Sequence, residues 1–297
     1  MSDETRLRLI SALSLGSLNV GELHQIIGGA QSNVSHHLKI LERAGIIKHK
    51  KEGTWNYYHL DNTTSPASLI AKNFIELHNT NGSTLPKILD DDSERARVLL
   101  EKRRDEAKEF FDSIASEWEN IREDKINTGS YLGKLTDLIP DEATIVELGC
   151  GSGIFLKELL PRSGKTIGVD YSGAMLHEAE QKLKEFDVEL RLGYLEHLPI
   201  SDNKIDLALA HMVLHHVTYP PDALADIYRI VKKGGKILVV DLVEHNNQLM
   251  SERYADKWLG FNTNDFTRWI LEAGFCDVEI SHFGPDSKVF MLTATKK

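Results

Sequence analysis

Cysteine is scarce in this chain, since only Cys150 and Cys276 carry a thiol among 297 residues. Two thiols exclude a disulfide framework and any zinc site built entirely from thiolates. No apolar run approaches the roughly 20 residues that a membrane-spanning helix needs. The start, Met-Ser-Asp-Glu-Thr, also lacks the basic and then apolar profile of a signal peptide. We therefore expect a soluble, cytoplasmic protein with no membrane partner.

Positive charge is also in short supply, because 45 acidic residues outnumber 35 basic ones and the formal net charge is −10. The deficit is uneven: residues 1–62 hold seven basic and six acidic side chains, which leaves −11 for the remainder. Within residues 36–51, five basic side chains accompany one acidic side chain, Glu42. A basic stripe on an acidic protein favours contact with nucleic acid. A solvated helix face beside a loop is the alternative.

The first residues show the apolar spacing of three short helices, at about 5–14, 20–27 and 30–44. Gly28-Gly29 separates the second helix from the third, and two short helices joined by a glycine turn are typical of a helix-turn-helix. The third helix leaves short polar side chains and a lysine on its outer face, suited to base edges and phosphates. These residues are Gln31, Ser32, Asn33, Ser35, His36 and Lys39.

Residues 46–60 change to a strand pattern, with β-branched and aromatic residues on either side of Glu52-Gly53. This pattern predicts a β-hairpin. The hairpin carries Lys48, Lys50 and Lys51, so it could lie along DNA phosphates as a wing. The same lysines could instead protect the edge of a small sheet. Their position after a helix-turn-helix favours DNA.

Residues 1–62 resemble the winged helix-turn-helix of the ArsR/SmtB family of bacterial repressors, through DETRLRLISAL and QSNVSHHLKILERAGIIKHKKEGTWNYYHL. The resemblance implies a homodimer that binds an inverted repeat in double-stranded DNA. It places the outer residues of the third helix on the DNA side. Metal sensors of this family often carry a Cys-x-Cys pair, which residues 19–23 lack. Residues 64–80 offer only Glu76 and His78 for the family's second metal site, so we expect no metal.

The middle of the chain is predicted to be largely helical. Residues 64–79 have the spacing of a dimerisation helix. Residues 80–92 contain Asn, Gly, Ser, Pro and an acidic run, which indicate a linker. A long amphipathic helix is predicted from Ser93 to Arg122. Its apolar stripe needs a partner, and a coupling rod or a dimer seam would both supply one.

From Gly129 onward, strand and helix patterns alternate, which predicts a mostly parallel sheet covered on both faces. The last two strands are expected to form a hairpin. Strands are predicted near 143–148, 165–170, 187–192, 205–211, 236–242, 277–283 and 288–295.

A buried strand, a glycine-rich turn and a helix follow one another in TIVELGCGSGIFLKELL. Gly149, Gly151 and Gly153 let the backbone turn sharply and approach a ligand, at which the N–H groups of the helix point. The spacing is Glu-x-Gly-x-Gly-x-Gly from Glu147, so the dinucleotide fingerprint Gly-x-Gly-x-x-Gly is not satisfied. The next strand ends in Asp170, which is positioned to accept both hydroxyls of a ribose.

Residues 130–245 resemble the class I S-adenosylmethionine-dependent methyltransferases, closest to the ubiquinone/menaquinone C-methyltransferase branch. The matching stretches are VELGCGSG, GVDYSGAML, GYLEHLPISDNKIDLALAHMVLHHV and IYRIVKKGGKILVVD. The segment FFDSIASEW also resembles the helix that precedes this fold and closes over the cofactor. Where the family usually has Gly-Asp-Ala, this chain has Gly193-Tyr194-Leu195, so the carboxylate that commonly meets the adenine amino group is absent.

This resemblance implies a site for an adenosyl ligand, either S-adenosylmethionine or S-adenosylhomocysteine. The glycine loop would face the methionyl part, Asp170 the ribose, and Tyr171 and Met175 the adenine. The residues implied at the site are Phe111, Trp118, Glu147, Gly149, Gly151, Gly153, Asp170, Tyr171, Met175, Tyr194, Leu195 and His211.

The predicted architecture therefore has two domains joined by a long helix. The first is an α+β winged helix-turn-helix for DNA binding and dimerisation, at residues 1–82. A linker helix follows at residues 83–128. Residues 129–297 form an α/β Rossmann-like, seven-stranded methyltransferase domain.

Two functions remain open from the sequence. In the first, a transcriptional regulator binds the adenosyl ligand as an effector. In the second, an active methyltransferase acts on an unknown small acceptor and its DNA-binding domain controls its own operon. No catalytic residue is assigned, because His211 and His215 are candidate bases that could equally be structural. Residues 244–261 could form a lid over an acceptor or pack on the sheet.

Overall fold

The computed structural model describes residues 4–52, 55–61, 66–80, 87–117, 131–160, 164–245, 247, 256–284 and 288–297. The chain divides into two compact units, Met1–Glu106 and Ala107–Lys297, called here the first unit and the second unit. The two-domain prediction is confirmed, while the domain limits at residues 82 and 128 stay predictions. Within the described ranges, no helix combines the length and the apolarity that crossing a lipid bilayer requires.

The first unit is a small α+β fold in which helices pack beside an antiparallel sheet. Its elements before residue 87 are α1 (Glu4–Leu13), β1 (Leu18–Asn19), α2 (Val20–Ile27), α3 (Gln31–Arg43), β2 (Ile47–Glu52), β3 (Trp55–Leu60) and α4 (Pro66–Thr80). The three strands pair in the order β1-β3-β2. Asn19 caps α2, since its side chain accepts from the N–H of Glu22 while the Glu22 side chain accepts from the N–H of Asn19.

The predicted helix-turn-helix and hairpin are both confirmed. The second helix covers residues 20–27 as predicted, and the chain then turns at Gly28 and Gly29 with φ angles of 78° and 80°. Glycine adopts this left-handed conformation without a steric penalty. Apolar side chains of α1, α2 and α3 meet in one core, to which Leu23 and Leu38 contribute. This packing leaves the opposite face of α3 exposed.

The acidic run that composition marks as a linker is instead helical, which corrects the prediction. The helix α5 (Lys87–Ile114) already includes all three consecutive aspartates, and the division between the two units falls within it. Asp90 and Asp91 are exposed, but Asp92 is fully buried. Composition alone could not separate the three carboxylates. The predicted helix end at Arg122 lies outside the described residues.

Two arginines offset the charge of the buried Asp92. Its carboxylate accepts from Nε and Nη2 of Arg8, at 2.6 and 2.9 Å, and from Nη1 of Arg95 at 3.3 Å. Both arginines also donate to carbonyls in the last turn of α2, at Ile26 and Ile27. These carbonyls have no partner inside their own helix. The start of α5 is therefore tied to α1 and to the end of α2 by one charged network.

The second unit is an α/β fold around a seven-stranded sheet. A short 3-10 helix covers Leu214–His216. The other elements after α5 are α6 (Leu132–Asp137), β4 (Thr144–Leu148), α7 (Ile154–Leu159), β5 (Lys165–Asp170), α8 (Gly173–Leu183), β6 (Val188–Leu192), β7 (Ile205–His211), α9 (Pro220–Ile230), β8 (Val231–Leu242), α10 (Thr263–Glu272), β9 (Phe275–Phe283) and β10 (Val289–Lys296).

The sheet has the order β6-β5-β4-β7-β8-β10-β9, and its first five strands are parallel. Only β10 runs antiparallel to its neighbours, β8 and β9, which confirms the predicted mostly parallel sheet with a terminal hairpin. Two apolar clusters of buried residues both include side chains from its central strands. The strand order reverses at β4, between β5 and β7. Ligands of such sheets bind beyond the carboxyl ends of the strands at this point.

We expect Asp92→Asn to destabilise the first unit by about 3 kcal/mol, because the Arg8 guanidinium would lose its buried counter-charge. Hydrogen exchange of the full chain, followed by mass spectrometry, should quicken in peptides of α1 and α2. The matched control is Asp91→Asn, which removes the same charge from the exposed neighbouring residue and should leave exchange unchanged. Equal exchange in the two variants would contradict the structural role of Asp92.

Candidate functional site

The glycine loop between β4 and α7 has a backbone that only glycine tolerates at its first position. Gly149, Gly151 and Gly153 have φ angles of 66°, 52° and 78°. A Cβ on Gly149 would lie 2.2 Å from Cγ2 of Val213, a distance that no real contact allows. The N–H of Gly149 donates to the carbonyl of Val169 at 2.7 Å, so the loop is held against the end of β5. The loop therefore presents bare backbone at the switch point of the sheet.

Asp170 ends β5 and is buried directly beside this loop. One carboxylate oxygen accepts from the N–H of Gly151 at 2.8 Å, and the other accepts from the N–H of Ser172 at 2.9 Å. Burial raises the pKa of Asp170 to about 6, against the opposing effect of these backbone donors, and the nearby Asp112 adds to the rise. Each oxygen keeps a further lone pair, so the carboxylate can still accept from a ligand hydroxyl.

Aromatic and apolar side chains form a wall next to Asp170. The rings of Tyr171 and Tyr194 are nearly parallel, with an interplanar angle of 17° and centroids 5.8 Å apart. Phe111 meets Tyr171 edge to face at 6.1 Å, and its buried ring clusters with Met175. Burial, followed by the charge of Asp170, raises the pKa of Tyr171 well above its usual range, so its hydroxyl stays neutral. We call these four side chains the aromatic wall.

The end of α5 is fixed to this wall by a polar contact as well as by Phe111. The hydroxyl of Ser172 donates to the carboxylate of Asp112 at 2.5 Å. The same hydroxyl accepts from the N–H of Met175 and so caps α8. One serine thus contacts both the start of α8 and the last turns of α5. The resemblance to methyltransferases implies that this end of α5 lies over the ligand.

Three of the remaining predicted ligand-site residues are Glu147, Leu195 and Trp118. Glu147 is buried in β4, and its charge helps to raise the pKa of Cys150 after the larger effect of burial. Leu195 follows Tyr194 in the chain and is buried in the core. Two residues earlier, the N–H of Gly193 donates to the carbonyl of Asp170 at 2.9 Å. Trp118 lies outside the described residues.

His211 ends β7 and contacts aromatic residues of the second unit. Its Nε2 lies 2.9 Å from the hydroxyl of Tyr131, and its ring stacks on Phe155 with centroids 4.1 Å apart. Both rings belong to buried side chains. These contacts favour the structural alternative for His211 over a role as a base.

His215 is buried in the 3-10 helix and paired with acidic residues. Its Nδ1 lies 2.6 Å from Oδ1 of Asp241, and its Nε2 lies 3.7 Å from Oδ1 of Asp256. Burial alone would lower the pKa of His215, but the two carboxylates outweigh it and the net shift is upward. Neither acidic partner was predicted from the sequence. Asp241 lies near the carboxyl end of β8, at the edge where parallel sheets bind ligands. That position in the sequence could have marked it as a candidate site residue.

The segment predicted as a lid or a packing element is described in part. Trp258 and Phe261 are buried and pack in the main core of the second unit, which supports packing for these residues. Residues 246 and 248–255, which include Tyr254, lie outside the described residues.

The predicted DNA-binding residues occupy the face of α3 that the core leaves free. Ser35 is half-buried, while the other five are exposed: Gln31, Ser32, Asn33, His36 and Lys39. Lys48 is exposed on β2 and forms a salt bridge of 2.9 Å with Asp61. Lys50 and Lys51 lie in β2, but their side chains fall outside the described part of the structure. Their contact with DNA stays a prediction.

Each of the two units matches the model of a known protein family. The model of a methyltransferase domain matches residues 146–239, and the model of bacterial regulatory proteins of the arsR family matches residues 3–49. The chain is similar to the arsenite methyltransferase of Halobacterium salinarum, with 30% identity over 151 residues that cover 46% of this chain and 38% of that protein. It is also similar to the 2-phytyl-1,4-naphtoquinone methyltransferase of Trichormus variabilis, with 30% identity over 156 residues, covering 48% and 67%.

The solved structures extend this similarity to the fold. A methyltransferase chain from the Haloferax volcanii complex with the Trm112 methyltransferase activator superposes with a TM-score of 0.54 at 18% identity. It covers 62% of this chain and 96% of that chain. The chain spans between 34% and 73% of the length of the curated relatives that it matches here. Through its second unit this chain belongs to the methyltransferase-domain family, and its first unit carries the helix-turn-helix of arsR-family bacterial regulatory proteins.

Proposed function

We propose that this protein is a DNA-binding transcriptional regulator whose methyltransferase-fold unit binds S-adenosylmethionine or S-adenosylhomocysteine as an effector. The observation that carries the proposal is the geometry around Asp170, a buried carboxylate held against a glycine loop in a chain that also has an arsR-type helix-turn-helix. Such a regulator would bind an inverted repeat as a homodimer. The exposed Leu69 and Ile70 of α4, at 47% and 58%, support an apolar contact with a second copy.

The residues at the site fit an adenosyl ligand. The glycine loop offers backbone without side chains at the switch point of the sheet, which suits the methionyl part. The Asp170 carboxylate can accept from ribose hydroxyls, and the aromatic wall offers flat apolar surfaces for the adenine. When bound, S-adenosylmethionine supplies a methyl group activated by its sulfonium.

α5 supports a link between ligand and DNA. Its beginning contributes Asp92 to the first unit, and its end contributes Phe111 and Asp112 to the wall beside Asp170. A ligand that binds against Phe111 favours one arrangement of this helix end. The ligand can control DNA binding only if it has different affinities for the DNA-competent and the DNA-incompetent states.

Methyl transfer to a small acceptor is a second candidate function, favoured by the pairing of His215 with Asp241. Methyl transfer from a sulfonium is an in-line displacement, in which the protein positions the acceptor and can remove a proton. Because Asp241 holds Nδ1 of His215 at 2.6 Å, the other ring nitrogen is the one that would accept that proton. Release of S-adenosylhomocysteine in the presence of a cell-extract acceptor would establish this function, since a pure sensor cannot turn over.

We expect Asp170→Asn to weaken binding of S-adenosylhomocysteine by at least tenfold, because hydrogen bonds to a charged acceptor contribute about 1.5–3 kcal/mol. Isothermal titration calorimetry on the full chain measures the change. Asp187→Asn, an exposed carboxylate between α8 and β6, is the matched control and should bind as the wild type does. Unchanged affinity in Asp170→Asn would overturn the site assignment.

The same site predicts a pH dependence. The folded pKa of Asp170, about 6, lies above its ordinary value of 3.8, so the contribution of this group to folding stability falls as the pH rises from 3.8 to about 6 and changes no further above that. Ligand binding has the opposite dependence, because ribose hydroxyls donate to the ionised carboxylate. We expect affinity for S-adenosylhomocysteine to fall as the pH drops below about 6, by up to tenfold per pH unit. Calorimetry across this range should show the fall in the wild type and a flatter profile in Asp170→Asn.

DNA binding gives the test of regulation. Fluorescence anisotropy of the protein on its own upstream DNA, at fixed salt, should shift at least tenfold in affinity with S-adenosylmethionine or S-adenosylhomocysteine, about 1.4 kcal/mol of coupling. DNA affinity that ignores both ligands would contradict the effector role and favour the enzyme.

A variant of the outer face of α3 checks the DNA surface in the same assay. Lys39→Ala should weaken DNA binding and lower the slope of log affinity against log salt by about 1, because one phosphate contact is lost. Lys184→Ala, an exposed lysine of the second unit, is the control and should change neither value. The opposite ranking of the two variants would place the DNA elsewhere on the protein.

A further inference from the structure

Two histidines and a carboxylate converge beside the aromatic wall. His215, His216 and Asp256 each offer one potential ligand atom, and these atoms lie within 4.8 Å of one another. Nδ1 of His216 is 3.4 Å from Oδ1 of Asp256, and Nε2 of His215 is 3.7 Å from the same oxygen. A metal with bonds of about 2.1 Å separates tetrahedral ligand atoms by roughly 3.4 Å. The observed spacings therefore need little adjustment to hold one ion.

We propose that His215, His216 and Asp256 form a binding site for a divalent transition-metal cation, with Asp241 as the residue that orients His215. This inference goes beyond the effector role and does not depend on it. No metal was predicted from the sequence, because the metal-ligand patterns of the arsR family belong to the first unit, whereas these residues lie in the second unit.

Asp241 gives this cluster the arrangement found behind metal-binding histidines. It lies 2.6 Å from Nδ1 of His215, and its oxygens also accept from the N–H groups of Leu214 and Leu242 at 3.1 and 2.7 Å. With its charge held in this way, Asp241 favours a proton on Nδ1 of His215. The lone pair of Nε2 is then directed toward Asp256, as in carboxylate–histidine–metal triads.

The chain segment that carries Asp256 is tied to the backbone of His215. The N–H groups of Lys257 and Trp258 donate to the carbonyl of His215 at 2.9 and 3.0 Å. The indole N–H of Trp258 donates to the carbonyl of Val217 at 2.9 Å. Asp256 itself is buried. The segment that carries Asp256 is thus anchored to the backbone of the 3-10 helix that carries His215 and His216.

The donor set indicates which cation would bind. Two imidazole nitrogens and one carboxylate oxygen suit Zn²⁺, Fe²⁺, Co²⁺ and Mn²⁺, whereas thiolates would favour softer ions and an all-oxygen set would favour Mg²⁺ or Ca²⁺. Three protein ligands leave at least one coordination position for an oxygen of water or of a small acceptor. The ring of His216 also packs edge to face on Phe111 at 5.0 Å, so the ion would lie beside the aromatic wall.

Titration of the chelator-treated full chain with CoCl₂ and ZnCl₂ tests the site without DNA or adenosyl ligand. Co²⁺ should give the visible ligand-field absorption of nitrogen and oxygen ligands, with no sulfur charge-transfer band. His216→Gln and Asp256→Asn should each weaken Co²⁺ binding at least tenfold, and Asp241→Asn about 10- to 100-fold through the orientation of His215. His197→Gln, an exposed histidine of the same unit, is the matched control and should bind as the wild type does.

Thermal unfolding keeps the test valid if a substitution lowers stability. Zn²⁺ should raise the Tm of the wild type and of His197→Gln above the Tm of the same protein after treatment with chelator. It should not raise the Tm of the cluster variants. Absence of Co²⁺ binding to the wild type would overturn the proposal. Co²⁺ binding that is unchanged in both His216→Gln and Asp256→Asn would also overturn it. Loss of that binding in His49→Gln would then place the ion at the surface pair of His49 and Glu42. Either failure leaves the effector proposal untouched.

Discussion

The buried carboxylate of Asp170 is the constraint on which the geometry of the glycine loop depends. Its oxygens hold the glycine loop on one side and the start of α8 on the other, through the N–H groups of Gly151 and Ser172. Burial of a charge is costly, as the upward shift of its pKa to about 6 indicates. The backbone donors reduce this cost, and they also fix the loop in the shape that a ligand needs.

Carboxylates on α5 have a similar role at other points of the chain. Asp92 gathers Arg8 and Arg95, which in turn satisfy the last carbonyls of α2. Asp112 accepts from Ser172, the residue that also caps α8. Such contacts are directional, whereas apolar packing is not, so they specify the register of the helix as well as its position.

Histidines at the ligand edge of the sheet differ in their partners. His211 is surrounded by aromatic side chains, while His215 and His216 approach Asp241 and Asp256. Aromatic rings give an imidazole packing contacts, whereas adjacent carboxylates can accept hydrogen bonds from its ring nitrogens. The same residue type thus has different chemistry at neighbouring positions because of what the tertiary fold brings against it.

Local pattern determined much of this protein. The helices of the first unit, the hairpin, the strands of the sheet, the glycine loop and Asp170 were all predicted, because periodicity and short motifs depend on near neighbours in the chain. Tertiary structure alone decided that Asp92 is buried against Arg8, 84 residues away, and that His215 meets Asp241, 26 residues away. Those pairs form where separate strands and helices pack together, and spacing along the chain carries no signal of which distant charges will meet.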